Sequence, residues 1–312
     1  MKARDAAQDN RLREALVRLE ASGLSLPGIE DDAARDVLIR QLLESVHRVN
    51  YVGAIVNREI SPRRADPNDP IFDPIRAAIL HARQSNIDEA FWLVFLFVHF
   101  GKNLRGGWRY LLEVYGRLGE EPSWSWAQVT GDPDGFRAWL ADKKSHIGRN
   151  TVPGGFGNHR KYESLDALGP SGTGASIAGY VRWVAEGGGH AALFRAAVDD
   201  ASGDARMAFN SLFRTMKVVR FGRTAKFDYL AMVGKIGLAV IEPDAAYFEN
   251  RSGPTLGARL LFAGSKNAPV SIRELESLAK RLDSGIQVGM QAIEDALCNW
   301  QKTPNRFKAF RG

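Results

Sequence analysis

At 312 residues the chain has material for one large domain or two packed lobes. A composition 45% hydrophobic and 25% charged excludes a wholly disordered chain. The single cysteine, Cys298, excludes an intramolecular disulfide and a cysteine-based zinc site, and the net charge is +6.

Met1 to Arg13 is charged and lacks the apolar centre of a signal peptide. The most apolar run, Ala90–Val98, is too short to cross a bilayer, so a cytoplasmic protein is expected, with no membrane partner. The periodic segments repeat at the helical interval and none alternates like a strand, which predicts an all-α, two-lobed fold. Residues 1–30 read as a helical extension. Asp31 and Asp32 open a helix carrying Leu38, Leu42, Val46 and Val49, and Pro74 starts another with Ile75, Ala78, Ile79 and Ala82. Asn86 with Glu89 has capping-box spacing, so a fresh helix is expected through Phe91–Val98 to Gly101. That helix is apolar on every side and predicts the centre of a lobe spanning 31–122.

The stretch 123–174 is rich in Gly, Pro and Trp and predicts connecting or binding loops. It holds Val152-Pro153-Gly154-Gly155-Phe156-Gly157-Asn158-His159-Arg160-Lys161. Ser171–Ser176 lacks the ending of a P-loop and reads as a capped helix start. Helices resume over 175–312: Ile177 to Val184, Phe209 to Met216, and Leu230 through Gly237 to Val240. Leu275 to Leu282 follow a Ser271–Glu274 capping box, and Ile286, Met290, Ile293, Leu297 and Trp300 mark the last helix.

Charge is unevenly placed. No acid falls between Asp204 and Asp228, or between Asp142 and Glu163, and after Asp295 the tail is purely basic. Such segments fit a phosphate-backbone footprint, with solvated basic helix faces as the bland alternative. Between two amphipathic helices lies Arg220-Phe221-Gly222-Arg223-Thr224-Ala225-Lys226, where the glycine lets main-chain N–H groups approach a phosphate. Arg220, Gly222, Arg223, Thr224 and Lys226 are therefore expected at DNA, together with Asn158, His159, Arg160, Lys161 and Lys302.

Asp228, among Phe227, Tyr229 and Met232, is a candidate catalytic carboxylate or simply a first-turn acid facing the helix dipole. Lys235, between two close-packing glycines, is a candidate nucleophile or phosphate contact. Glu294 lies at the edge of the last apolar stripe. The six histidines have no metal-ligand spacing, so neither metal nor cofactor is expected.

Phe91–Lys102, Gly107-Trp108-Arg109-Tyr110, Gly157–Tyr162, Phe221-Gly222-Arg223, Gly253-Pro254-Thr255 and Glu294–Lys302 together resemble the alpha-glutamyl/putrescinyl thymine pyrophosphorylase family, clade 3. The resemblance implies a helical fold similar to the helix-hairpin-helix DNA glycosylases, duplex DNA carrying modified bases as partner, and base flipping. No obligate protein partner is implied. It also implies a catalytic acid well after the hairpin. Here that stretch reads Glu242-Pro243-Asp244-Ala245-Ala246-Tyr247, which departs from the glycosylase pattern and adds Asp244 to the candidates. Three functions are carried forward: N-glycosidic hydrolysis of a hypermodified pyrimidine, possible in defence against phage; pyrophosphate-displacing transfer in hypermodified thymine synthesis; and non-catalytic DNA binding.

Overall fold

A computed structural model describes residues 3–149 and 155–310, without the side chains at 3–5 and 158. Among the described residues the chain forms α-helices and no strand. In chain order these are α1 (Ala3–Ala21), α2 (Asp32–Val56), α3 (Pro74–Arg83), α4 (Ile87–Phe100), α5 (Arg109–Tyr115), α6 (Trp126–Gly131) and α7 (Pro133–Lys143). Then come α8 (Thr173–Glu186), α9 (His190–Asp200), α10 (Ala205–Thr215), α11 (Arg223–Lys235), α12 (Gly253–Ala263), α13 (Ile272–Ile286) and α14 (Met290–Trp300). The fold is all-α. No helix among the described residues is long and apolar enough to cross a membrane.

The chain divides into two compact units, Met1–Ala54 with Pro243–Arg311, and Ile55–Glu242. This division runs differently from the sequential segments expected above. The two ends of the chain share one core, which local periodicity does not encode.

In the first unit, Leu12, Leu16, Leu38, Leu42, Leu261, Leu282, Ile293 and Trp300 form a single buried cluster. Gly257 lets α12 press on α14: a Cβ there would meet the Leu297 carbonyl oxygen at 2.3 Å. The periodicity predicting one helix from Ile286 onward spans a break. Gln287 (φ 51°) and Gly289 (φ 87°) turn the chain between α13 and α14, and Asp283 Oδ1 accepts from the Val288 and Gly289 amides.

In the second unit, α4 is the axis. Residues Ala90 to Leu96 are at most 1% exposed, and α3, α5, α6, α9 and α11 pack around the helix. Burying each large side chain contributes roughly 1.5–3 kcal/mol, so this one helix anchors the unit. Asp73 caps α3 by accepting from the Arg76 amide. The expected capping box at Asn86 does not form. Glu89 is instead buried, accepting from Tyr115 Oη and the Trp126 amide at 2.8 Å each, and burial raises its carboxyl above the ordinary range. Tertiary partners outcompete the local cap. α11 likewise ends at Lys235, before Gly237 (φ 76°), and does not continue to Val240.

Candidate active site

The hairpin expected from sequence is α10, a turn over 216–222, and α11. Asp204 caps α10 through the Arg206 and Met207 amides. Within the turn Phe221 is 2% exposed and stacks on Phe95 of α4 at 5.1 Å, which plugs the turn into the core. Arg220 adopts φ 61°, a left-handed conformation that strains a side-chain-bearing residue. Gly222 is exposed at the start of α11, and no side chain caps the helix there.

The second element is the loop after residue 154; residues 150–154, including Val152, Pro153 and Gly154 of the predicted binding loop, lie outside the described residues. Phe156 stacks on Phe100 at 5.4 Å, and the Gly157 amide donates to the Phe100 carbonyl. A Cβ on Gly157 would meet Gly101 main-chain atoms at 2.7 Å, so only glycine permits this docking on the end of α4. A single 3-10 turn, Asn158–Arg160, follows. The Asn158 side chain lies outside what is described.

That docking brings two of the acid-free basic segments together. His159 Nε2 lies 3.4 Å from Asp228 Oδ2, with the side chains 45% and 33% exposed. Arg160 is interior at 6% exposure. Its Nε donates to the Val98 carbonyl and its Nη1 to the Arg220 carbonyl, each at 3.3 Å, and Nη1 is 3.6 Å from Glu163. The guanidinium also sits 5.2 Å from the Phe221 ring centroid, and its buried Nη2 has no partner among the described residues. Burial pulls this guanidinium below its ordinary range, opposed by the charges of Asp228 and Glu163. Glu163 in turn holds Arg220 Nε at 3.3 Å.

The cluster is therefore a half-open His–Asp pair underlain by one buried arginine and rimmed by cations. Arg220, Thr224 and Lys161 are exposed. Arg223 lies over Phe227 at 5.0 Å, and Lys226 folds back on Phe213, donating to its carbonyl at 3.5 Å. Lys235, seven residues beyond Asp228 on α11, is about 10 Å further along the axis and outside the cluster. Glu163 was not singled out from sequence. Its faint signal is that it closes the acid-free run from Asp142.

The remaining candidates belong to the other unit. Asp244 accepts from Tyr247 Oη at 2.5 Å and from Lys280 at 3.3 Å. Glu294 is buried on α14, and Lys302 donates to Asn299 Oδ1 at 3.0 Å. In each of these contacts the partner comes from the same unit.

Two further features of the second unit bear on the choice. Asp88, His190, Tyr180 and Tyr229 form a chain of hydrogen bonds of 2.7, 2.8 and 2.8 Å. It is buried except at Asp88, and sequence gave no sign of it. A cleft of about 730 Å³ is walled by Pro67, Pro70, Trp108 and Leu112. The carboxylates lining it are engaged: Asp69 by Arg63, Glu113 by Arg109 and the Gly148 amide. By contrast, the His159–Asp228 cluster is half-exposed and rich in cations.

The chain matches the family model described as Alpha-glutamyl/putrescinyl thymine pyrophosphorylase clade 3 over residues 33–312. It belongs to this family. The family name is that of an enzyme concerned with a substituted thymine. No curated protein and no solved structure matches the chain.

Proposed function

We propose that the chain is an enzyme acting on a hypermodified thymine in duplex DNA, and that it displaces pyrophosphate from the base's 5-methylene carbon. The observation that carries this reading is the His159–Asp228 pair set beside Arg160 and Arg220. A pyrophosphate leaving group develops negative charge as its C–O bond breaks, and fixed cations stabilise that charge. An incoming amine forms the C–N bond, the C–O electrons leave with pyrophosphate, and the ammonium proton passes to His159, which Asp228 orients and balances. The family name, with its glutamyl and putrescinyl thymines and its pyrophosphorylase, supports the same chemistry.

A second reading keeps the site and changes the bond. Asp228, one-third exposed beside cations, suits stabilisation of an oxocarbenium-like sugar in N-glycosidic hydrolysis, in the manner of a DNA glycosylase. Under either reading the exposed turn at Gly222, with Arg223, Thr224 and Lys226, engages the phosphate backbone and positions the duplex. Both readings describe a cytoplasmic enzyme that needs no cofactor of its own, and glycosylase action would suit defence against phage with modified DNA.

The test is product analysis. Duplexes carrying thymine, 5-hydroxymethyluracil or its pyrophosphorylated derivative are incubated with the protein, with and without a primary amine. Amine-dependent pyrophosphate release is expected; free base with alkali-labile sites selects the hydrolytic reading. Release of neither product from any duplex overturns both.

A further inference from the structure

Tyr162 is 79% exposed, the highest value among the exposed large hydrophobic residues described. The residues around it do the opposite. Arg160 and Glu163 have side chains only 6% and 8% exposed, and they pair with each other at 3.6 Å. The Glu163 amide closes the turn on the Arg160 carbonyl at 2.9 Å, and Glu163 also ties the turn to Arg220 of the hairpin. The backbone on both sides of Tyr162 is thus fixed by buried ionic contacts while the ring stands in water. A cation lies against the ring: Lys161 Nζ is 5.0 Å from its centroid, and His159 and Arg220 are exposed nearby in the chain and across the Glu163 bridge.

We propose that Tyr162 is the residue that enters the base stack of duplex DNA beside the target nucleotide, its ring replacing the stacking of the extruded base. The inference rests on the DNA reading above and adds to it a positioning residue. A ring meant for an apolar protein partner would be expected within an apolar patch. An exposed ring beside cations, on backbone fixed on both sides, matches a stacked base flanked by phosphates, because every base offers a π-face and the backbone supplies the negative charge. Lys161 over one face keeps a cation beside the phosphate that the inserted ring would approach.

The experiment uses the full chain and a short duplex with pyrophosphorylated 5-hydroxymethyluracil as target and 2-aminopurine as its neighbour, whose fluorescence rises when stacking is broken. Wild type, Tyr162→Ala and Tyr162→Phe are compared for affinity, fluorescence, turnover and thermal unfolding. The proposal expects Tyr162→Ala to lose the fluorescence rise and to bind roughly tenfold more weakly. Tyr162→Phe should restore both, and the melting temperature should be unchanged in either variant, as the side chain is exposed. Tyr162→Ala that binds and perturbs the probe like wild type overturns the proposal alone, and leaves a protein partner as what the ring meets. Failure of phenylalanine to rescue overturns stacking as the mechanism. If wild type itself binds no duplex, the DNA reading falls and takes this proposal with it.

Discussion

The second unit contains two histidine–aspartate pairs, and they differ in nearly every respect that matters for chemistry. His190 and Asp88 meet at 2.7 Å with the imidazole fully buried, stacked on Phe91 at 4.8 Å and 4.5 Å from the Trp126 ring. His159 and Asp228 meet at 3.4 Å with both groups part-exposed. Burial lowers His190 to about 4 in spite of Asp88, so its ring is neutral near neutrality. Nδ1–H then donates to Asp88 and Nε2 accepts from Tyr180, whose hydroxyl also lies 3.4 Å from the Phe91 carbonyl and shares a hydrogen bond with Tyr229. Such a network holds α4, α8, α9 and α11 together and meets solvent at Asp88. In the looser pair both side chains reach solvent, and a buried arginine stands beneath it. A short, well-made hydrogen bond is here the mark of structure, and the longer half-open contact is the mark of a site.

The largest effect that would break this contrast is on turnover. Asp228→Asn should lower turnover roughly 100-fold or more, because the pair loses its charge and the proton acceptor its orientation. Its unfolding free energy should change by no more than about 1 kcal/mol, as expected for a part-exposed group. Steady-state kinetics and urea titration on the same preparation separate the two. Retained turnover would move the chemistry elsewhere, with Asp244 and Glu294 the next acids to substitute.

His190→Ala should show the reverse. The ring leaves a void against Phe91 and Trp126 and strips Tyr180 of its acceptor, which costs about 3 kcal/mol by the usual cavity and unsatisfied-donor magnitudes. If the variant instead unfolds like wild type but loses turnover, the buried pair belongs to the mechanism and the contrast fails. A pH series sharpens the same point. Burial places His190 at about 4 and His99 at about 3 in the folded protein, below the unfolded value of 6.5. The unfolded chain therefore binds more protons across that window, and stability must fall as pH drops from 6.5 towards 4, by at most roughly 3 kcal/mol for each ring. Urea midpoints at three pH values read this directly, and a flat profile would mean that the rings are protonated in place.

The contrast was only half legible in the sequence. The all-helical fold followed from periodicity, α3 from Pro74 and α13 from Ser271, which does accept from the Glu274 amide. The turn between α10 and α11 falls where the glycine of Phe221-Gly222-Arg223 led it to be expected. What joins the two basic segments left no pattern, because the link is a side chain on a main-chain carbonyl: Arg160 on Arg220, sixty positions apart. Burial of Arg160 was equally silent, since an arginine in a polar, glycine-rich loop reads as solvent-facing. Glu89 misled for a physical reason. Its spacing from Asn86 satisfies a local rule, but Tyr115 and the Trp126 amide make a better partner set for a carboxylate inside the core. His190 follows three glycines between the end of one helix and the start of the next, and its partner Asp88 is 102 positions away.

Smaller effects probe the supports of the half-open pair. Glu163→Gln removes the counter-charge that Arg160 and Arg220 share, leaving the buried guanidinium with fewer acceptors. A loss of about 2 kcal/mol in stability is expected, with weaker DNA binding as the loop loosens from the hairpin. Equal stability of the variant would show that the Val98 and Arg220 carbonyls hold Arg160 unaided.

Lys161→Ala is the mildest change. The side chain is exposed, so stability should stay within about 0.5 kcal/mol of wild type. Its contribution appears instead in the salt dependence of duplex binding: one phosphate contact released lowers the slope of log affinity against log salt by about 1. This measurement bears on the wider charge pattern too, because the run from Lys143 to Lys161 holds no acid of its own. An unchanged slope would make that run a solvated surface and confine the backbone contacts to the hairpin. A reduced slope would place the loop beside the hairpin along one DNA strand, with the half-open pair between them.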